Sequence, residues 1–254
     1  MAGVTGARVA LVTGGARGLG RDLVAGFAGA GYQVVACGRH APAEPSGQLA
    51  AFFECDVRDP DQVTAMVDSV GERCGRLDVL VNNAGGTPYA PAADMSPRLA
   101  ERIIALNLLG PLYVAQQANR IMQEQAEGGV IINIGSTSAF RPAPNVAPYV
   151  AAKAGLVALT RALAIEWAPK VRVVQVSPGL LRTELVTETY GTDVAAVEAT
   201  VPAGRFATGS DVAAACLALA EPALAYVTGA ELIVDGGGEI PGWLLAVRPA
   251  EEGA

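Results

Sequence analysis

The strongest constraint on this chain is an alternation. Short, continuously apolar runs occur at 8–13 (RVALVT), 32–37 (YQVVAC), 50–55 (AAFFEC), 77–82 (LDVLVN), 130–135 (VIINIG), 171–176 (VRVVQV) and 231–235 (ELIVD). Between them lie longer stretches with helical character at 18–30, 60–74, 96–126, 149–168 and 210–220. Runs without polar alternation suit strands covered on both faces. Strand and helix taking turns predicts an α/β fold: a doubly wound, Rossmann-type parallel sheet of these seven strands, with helices on both faces and right-handed crossovers.

Composition narrows the function classes. Hydrophobic residues make up 51% and charged residues 17%, against about 25% charged in an average domain, which excludes a disordered chain. The net charge of -7 argues against wrapping a nucleic-acid backbone. There is one histidine, His40, so a mechanism or metal site needing two is excluded. No metal is expected. The four cysteines, Cys37, Cys55, Cys74 and Cys216, are scattered with no CxxC pair, which favours free thiols in a reducing compartment. The uncharged stretch Val212–Ala220 has nine residues, about half of what a membrane helix needs. These features predict a soluble, cytoplasmic protein without membrane or nucleic-acid partners. The 18 basic residues include only two lysines, Lys153 and Lys170.

The first strand runs into Thr13-Gly14-Gly15-Ala16-Arg17-Gly18-Leu19-Gly20 and then a helix. Glycines let the backbone turn tightly and approach a pyrophosphate. A helix N-terminus offers that anion unpaired N–H groups. The spacing is GxxxGxG rather than GxGxxG, but its place after the first strand points to a dinucleotide. In NAD-binding versions an acid about 20 residues further on accepts from the ribose 2′-hydroxyl. Here the second strand ends Cys37-Gly38-Arg39-His40, with no acid. A guanidinium suits a 2′-phosphate that a carboxylate repels. Arg39, with Arg17 as a second cation, therefore predicts NADP(H) over NAD(H). His40 reads as a surface residue.

Tyr149 and Lys153 stand four residues apart at the start of a helical stretch, so they share a face. A tyrosine with a pKa of about 10 is a poor acid at neutral pH, and a nearby ammonium lowers that value. Thirteen residues before Tyr149, a strand delivers Ser136 at its carboxyl end, the edge where open α/β sheets bind ligands. If that strand continues, Ser138 points to the same side.

With these residues in place, the chain resembles the short-chain dehydrogenase/reductase family. The resemblance spans about residues 8–240: Thr13–Gly20, Asn82-Asn83-Ala84-Gly85, Asn107, Ser136, Tyr149/Lys153, Pro178-Gly179 with Thr183, and Val234-Asp235-Gly236-Gly237. Val201–Phe206 (VPAGRF) is similar to the 3-oxoacyl-carrier-protein-reductase branch, whereas the enoyl-reductase branch has a longer Tyr-to-Lys step. The family departs here at Ala139, where Gly is common, and at Val174, where Asn is common.

The resemblance implies roles. Tyr149 is the acid or base at the carbonyl oxygen, Ser136 holds that oxygen, and Lys153 lowers the phenol's pKa and bonds the nicotinamide ribose. Asn107 positions a relay water. Asp56 and Val57 contact the adenine, Asn83, Ala84 and Gly85 line the adenosine side, and Pro178, Gly179, Leu181 and Thr183 the nicotinamide. The substrate, a small-molecule or acyl-thioester carbonyl or the matching alcohol, is expected among Ser136, Ser138, Asn145, Tyr149, the lid-like segment 184–208 and Trp243 in the tail 236–254. Residues 1–254 read as one dinucleotide-binding and catalytic domain. Relatives also imply a homo-oligomer, dimer or tetramer, through helices 96–126 and 149–168. Two alternatives stay open: an NAD-linked dehydrogenase, and a non-catalytic nucleotide sensor or scaffold on the same fold. Lys170, after Pro169 at a helix end, reads as solvated.

Overall fold

The structure is a computed structural model that describes residues 6–42, 47–182 and 193–240. Seven parallel strands form one sheet: β1 (Val9–Thr13), β2 (Gln33–Gly38), β3 (Leu49–Glu54), β4 (Val79–Asn82), β5 (Gly129–Ile134), β6 (Val171–Pro178) and β7 (Glu231–Val234). Their spatial order is β3-β2-β1-β4-β5-β6-β7. Each lies within a residue or two of its predicted place. Every residue of the central strands β1 and β4 is buried, whereas the edge strands β3 and β7 are only partly covered. Burial on both faces is what the continuous apolar runs required.

The helices are α1 (Gly18–Gly29), α2 (Pro60–Cys74), α3 (Pro97–Ile104), α4 (Gly110–Glu124), α5 (Ala147–Trp167), α6 (Val194–Glu198) and α7 (Gly209–Ala220). α1 and α7 cover one face, burying Leu23, Val24, Phe27, Val212 and Cys216 against β1, β2 and β6. α2, α4 and α5 cover the other through Val63, Val67, Val114, Met122 and Leu163. Local chemistry sets the ends. The Asp59 carboxylate accepts from the N–H groups of Asp61 and Gln62, with Pro60 in the first helical position, and Gly75 ends α2 in the left-handed region. Thr208 and Asp211 form a reciprocal capping box on α7.

One predicted helix, 96–126, is broken. A π turn at Ala105–Leu109 separates α3 from α4. Pro111 has no N–H to give the preceding turn, and the Asn107 amide takes the Ile103 carbonyl at 2.9 Å. Such turns are frequent at functional sites.

α5 is long and apolar enough to cross a membrane by length and composition. It lies against β6 and α3 as a covering helix of the sheet. Of the expected lid 184–208, residues 184–192 fall outside the described residues. The rest holds α6 and is anchored: Val201 and Phe206 are buried, and Leu181 pairs with Ala207.

Candidate active site

The order of strands reverses its chain direction at β1, with β2 on one side and β4 on the other. Loops leaving β1 and β4 part there, and open α/β sheets bind ligands in that crevice. Thr13 ties the two loops together. Its hydroxyl accepts from the N–H groups of Asn83 and Ala84, both at 3.0 Å. The Asn83 amide returns a bond to the Thr13 carbonyl at 2.8 Å.

The phosphate loop is held from the other side by β2. Gly14 N–H donates to the Cys37 carbonyl at 2.7 Å. Gly14 sits in the left-handed region (φ 68°), and a Cβ on Gly20 would lie 2.0 Å from the Gly14 carbonyl. Arg17, the residue before α1, caps it with no side-chain bond, so the first N–H groups of α1 have no side-chain acceptor there. Gly18, Leu19 and Leu181 line one cleft beside this end of α1. A backbone cradle with uncapped donors fits the pyrophosphate of a dinucleotide. Ala16 is half-buried in the loop, and Arg17 and Arg39 are exposed at its mouth. His40 is exposed, as predicted.

At the carboxyl end of β5 the catalytic candidates converge. Lys153, on the buried side of α5, donates from Nζ to the Ile134 carbonyl at 2.7 Å. Its Nζ is 5.6 Å from the Tyr149 ring centre. The Ser136 hydroxyl lies close enough to the Tyr149 phenol to lower its pKa. Asn107 is fully buried in the π turn. Its Oδ1 accepts from Gly86 N–H at 2.9 Å and its Nδ2 donates to the Gly86 carbonyl at 2.9 Å. Gly85 joins the groups: a Cβ there would lie 2.8 Å from Asn107 Oδ1 and 3.5 Å from Lys153 Nζ. The helix break therefore turns Asn107 toward the site that Lys153 enters from α5.

The electrostatics differ from the simple sequence argument. Burial pushes the Tyr149 phenol above its ordinary value, Ser136 pulls it down, and the nearby Tyr89 phenol adds to the rise. Burial pushes Lys153 down to about 8. The phenol is thus neutral near pH 7, in the form that gives a proton, and the ammonium's close partner is a carbonyl.

The expected placing of Ser138 is corrected. β5 ends at Ile134, and Thr137–Ala139 form a 3-10 turn, so the strand does not carry Ser138 onto the face of Ser136. Instead Ser138 N–H donates to Ser136 Oγ at 3.1 Å and orients it. Asn145 contributes backbone here: at φ 66° its carbonyl accepts from Ala90 N–H at 2.9 Å, joining the loops after β4 and β5. Lys170 is exposed but bonded, donating to the last carbonyls of α4 at Gln123 (2.6 Å) and to Gln125 (3.1 Å). Pro178 ends β6, and Gly179 packs so closely on Asp235 that a Cβ would lie 2.7 Å from it. Val57 is buried beneath Gly110. Thr183 and Trp243 lie outside the described residues.

Two residues near the site escaped the sequence reading. Tyr89, 61% exposed, stands within electrostatic reach of Tyr149; nothing in its local spacing marks it. Arg58 grips Asp56, and the only sequence signal was a basic residue two positions after an acid.

Comparison with known proteins agrees with this geometry. A family model described as enoyl-(acyl carrier protein) reductase matches residues 14–239. D-threitol dehydrogenase of Mycolicibacterium smegmatis is 37% identical over 91% of this chain and 92% of its own length. A probable 2,4-dienoyl-CoA reductase of Bacillus subtilis is 32% identical over 91% of this chain and 96% of its own. The solved structure of Thermoplasma acidophilum aldohexose dehydrogenase superposes with a TM-score of 0.86 at 31% identity, covering 98% of this chain and 97% of that one.

The chain is a short-chain dehydrogenase/reductase. As a member it is an oxidoreductase of alcohol or carbonyl groups on small molecules, and the family works with a nicotinamide nucleotide. The matched description names an enoyl reductase, although Val201–Phe206 resembles the 3-oxoacyl branch and the four-residue step from Tyr149 to Lys153 fits the enoyl branch poorly. Both alcohol dehydrogenases and a dienoyl reductase stand among its relatives, so the match is to the short-chain family at large.

Proposed function

We propose that this short-chain dehydrogenase/reductase interconverts a carbonyl and a secondary alcohol using NADP(H), with Tyr149 as the acid and base. The carrying observation is that Asn107 and Lys153 meet at Gly85, with the Tyr149 ring 5.6 Å from Lys153 Nζ and Ser136 close to the Tyr149 phenol.

The cofactor, when bound, supplies the two-electron chemistry. The chain supplies placement and the proton. Gly14, Ala16, Gly18, Leu19 and Gly20 cradle the pyrophosphate. Asn83, Ala84 and Gly85 line the adenosine side, with Asp56 and Val57 at the adenine. Pro178, Gly179, Leu181 and Thr183 border the nicotinamide. Arg39 and Arg17 take the 2′-phosphate. Both guanidinium groups are exposed, and neither makes a hydrogen bond or ion pair among the described residues.

In reduction, Ser136 donates to the substrate oxygen and Tyr149 gives it a proton. In oxidation, Tyr149 takes the proton from the alcohol. Lys153 keeps a positive charge near the phenol and reaches the ribose. Asn107 holds a water that resupplies the proton. Tyr89, Ser138 and Asn145 border the substrate. The relatives are named for threitol, aldohexose and dienoyl-CoA. A hydroxylated small molecule or an acyl thioester suits the polar rim of Ser136, Ser138 and Tyr89.

The same proposal covers assembly. α5 exposes Ala151, Ala154, Ala158, Ala162 and Ile165 at helical spacing, with Ile165 81% exposed. This face fits a homo-oligomer. All four cysteines are free, which suits a reducing cytoplasm.

A panel of ketones with NADPH and NADH, run on wild type and Tyr149→Phe, tests the proposal. We expect turnover with NADPH, tighter binding of NADPH than NADH, and turnover lost in Tyr149→Phe with NADPH binding intact. Tight binding without turnover on any ketone would point to a sensor, and equal affinity for NADH would remove the NADP(H) assignment.

A further inference from the structure

The tips of β2 and β3 are joined by a bond from Cys55 N–H to the Gly38 carbonyl at 2.9 Å. Arg39 and Asp56 each stand one residue beyond that bond, at the edge where the adenine ribose is expected. This is an awkward place for an acid. A carboxylate there repels a 2′-phosphate and competes for the cation meant to bind it.

Asp56 is already engaged. Arg58 Nε donates to its Oδ1 at 2.9 Å and to its Oδ2 at 3.1 Å, and Arg58 Nη2 reaches Oδ2 at 2.5 Å. The Arg58 N–H adds a bond to Oδ1 at 3.1 Å. The Asp56 N–H is taken by Gln62 Oε1 at 3.0 Å, so the acid is fixed at both ends. The two side chains are 28% and 24% exposed, and the fork is a two-point one. Arg58 is the main cause of the depressed carboxyl pKa, and Arg39 adds to it through its field. Arg39 is thus close enough to feel Asp56, yet forms no ion pair with it.

We propose that Arg58 is a positioning residue for cofactor selection: by clamping and neutralising Asp56, it leaves Arg39 available to the 2′-phosphate. This rests on the NADP(H) assignment above. Arg58 needs no contact with the phosphate. Its effect passes through the charge and orientation of Asp56.

Calorimetric titration of the full chain with NADPH, NADH and 2′,5′-ADP tests it without reference to turnover. Arg58→Met should weaken NADPH and 2′,5′-ADP about tenfold relative to NADH. Arg58→Lys should recover part of the loss. Asp56→Asn in the Arg58→Met background should restore the preference, because the uncompensated carboxylate is gone. Equal weakening of NADPH and NADH in Arg58→Met, or no rescue by Asp56→Asn, overturns the role of Arg58 while leaving the NADP(H) assignment standing. A wild-type protein that binds NADH as tightly as NADPH, and 2′,5′-ADP no better than 5′-AMP, overturns both.

Discussion

The Lys153 ammonium, buried in the fold, donates to the Ile134 carbonyl at 2.7 Å. Nζ enters from α5 beneath the tip of β5, with the phenol ring on one side and Gly85 on the other. A compact ammonium on a flexible stem fits that space, whereas a planar guanidinium is broader and needs a fork of acceptors. Lys170 also donates to backbone carbonyls, but from the surface, where it closes the end of α4.

Burying Lys153 costs stability that the proposed function requires. Its pKa is about 8 in the fold against an ordinary 10.5. Between those values the unfolded chain binds the proton more tightly, so stability rises with pH across that window. Below it the full cost applies, about 3 kcal/mol before the Ile134 bond returns some of it. Lys153→Met should therefore melt about 2–6 °C higher than wild type at pH 7. The gain should shrink as the pH approaches 10, and turnover should be lost. Thermal unfolding at the two pH values checks this; a lower melting temperature at pH 7 would show that the carbonyl bond outweighs desolvation.

The same titration sets a pH limit on reduction. Tyr149 stays protonated well past neutrality, because burial raises it. Lys153 loses its charge near pH 8. Ketone reduction should decline as the pH rises through about 8, with the phenol still protonated. A kcat/KM profile flat to pH 10 would separate the lysine charge from the proton transfer.

The sheet was legible because burial on both faces leaves a direct trace, a strand with no polar alternation. The Tyr149/Lys153 pairing was legible because helix geometry places residues four apart on one face. Contacts between distant segments left no such trace. Asn82, Asn133 and Gln175 interrupt apolar strands, and only the packed sheet shows each of them bonded to a neighbour. The π turn was hidden because Asn107 and Pro111 disturb a helix through groups outside it, the Gly86 backbone and the Asn82 amide. Arg58 carries no mark in the sequence beyond standing two positions after Asp56.

Gly85 is predicted to be indispensable for steric reasons. Any side chain there meets Asn107 Oδ1 at 2.8 Å. Asn107 cannot retreat without breaking its bonds to Gly86 and Ile103. Gly85→Ala should cut kcat by about 100-fold, as displacements of about 1 Å near an active site do. The melting temperature should fall as well, since Asn107 is fully buried and its displacement strains its bonds to Gly86 and Ile103. Near-normal kcat in this variant would show that Asn107 has no positioning part in turnover.

The buried polar residues form a chain with its own consequence for stability. The Asn82 amide donates to Asn133 Oδ1 at 3.0 Å, Asn133 Nδ2 donates to Thr160 Oγ1 at 2.9 Å, and Thr160 donates to Gln175 Oε1 at 3.4 Å. Gln175 Nε2 and Ser177 Oγ both donate to Glu231 Oε1, at 3.1 and 2.6 Å. The chain thereby links β4, β5, α5, β6 and β7 beneath the active edge. In Asn133→Leu, Asn82 loses an acceptor and Thr160 a donor, both fully dry. Each orphaned group costs about 1–3 kcal/mol, so the variant should lose about 2–3 kcal/mol in urea unfolding despite its gain in apolar area. Thr160→Val should lose a similar amount, because it cuts the same chain one link further on. If both variants keep wild-type stability, the network is a passenger of the sheet and its register is held by the apolar strands alone.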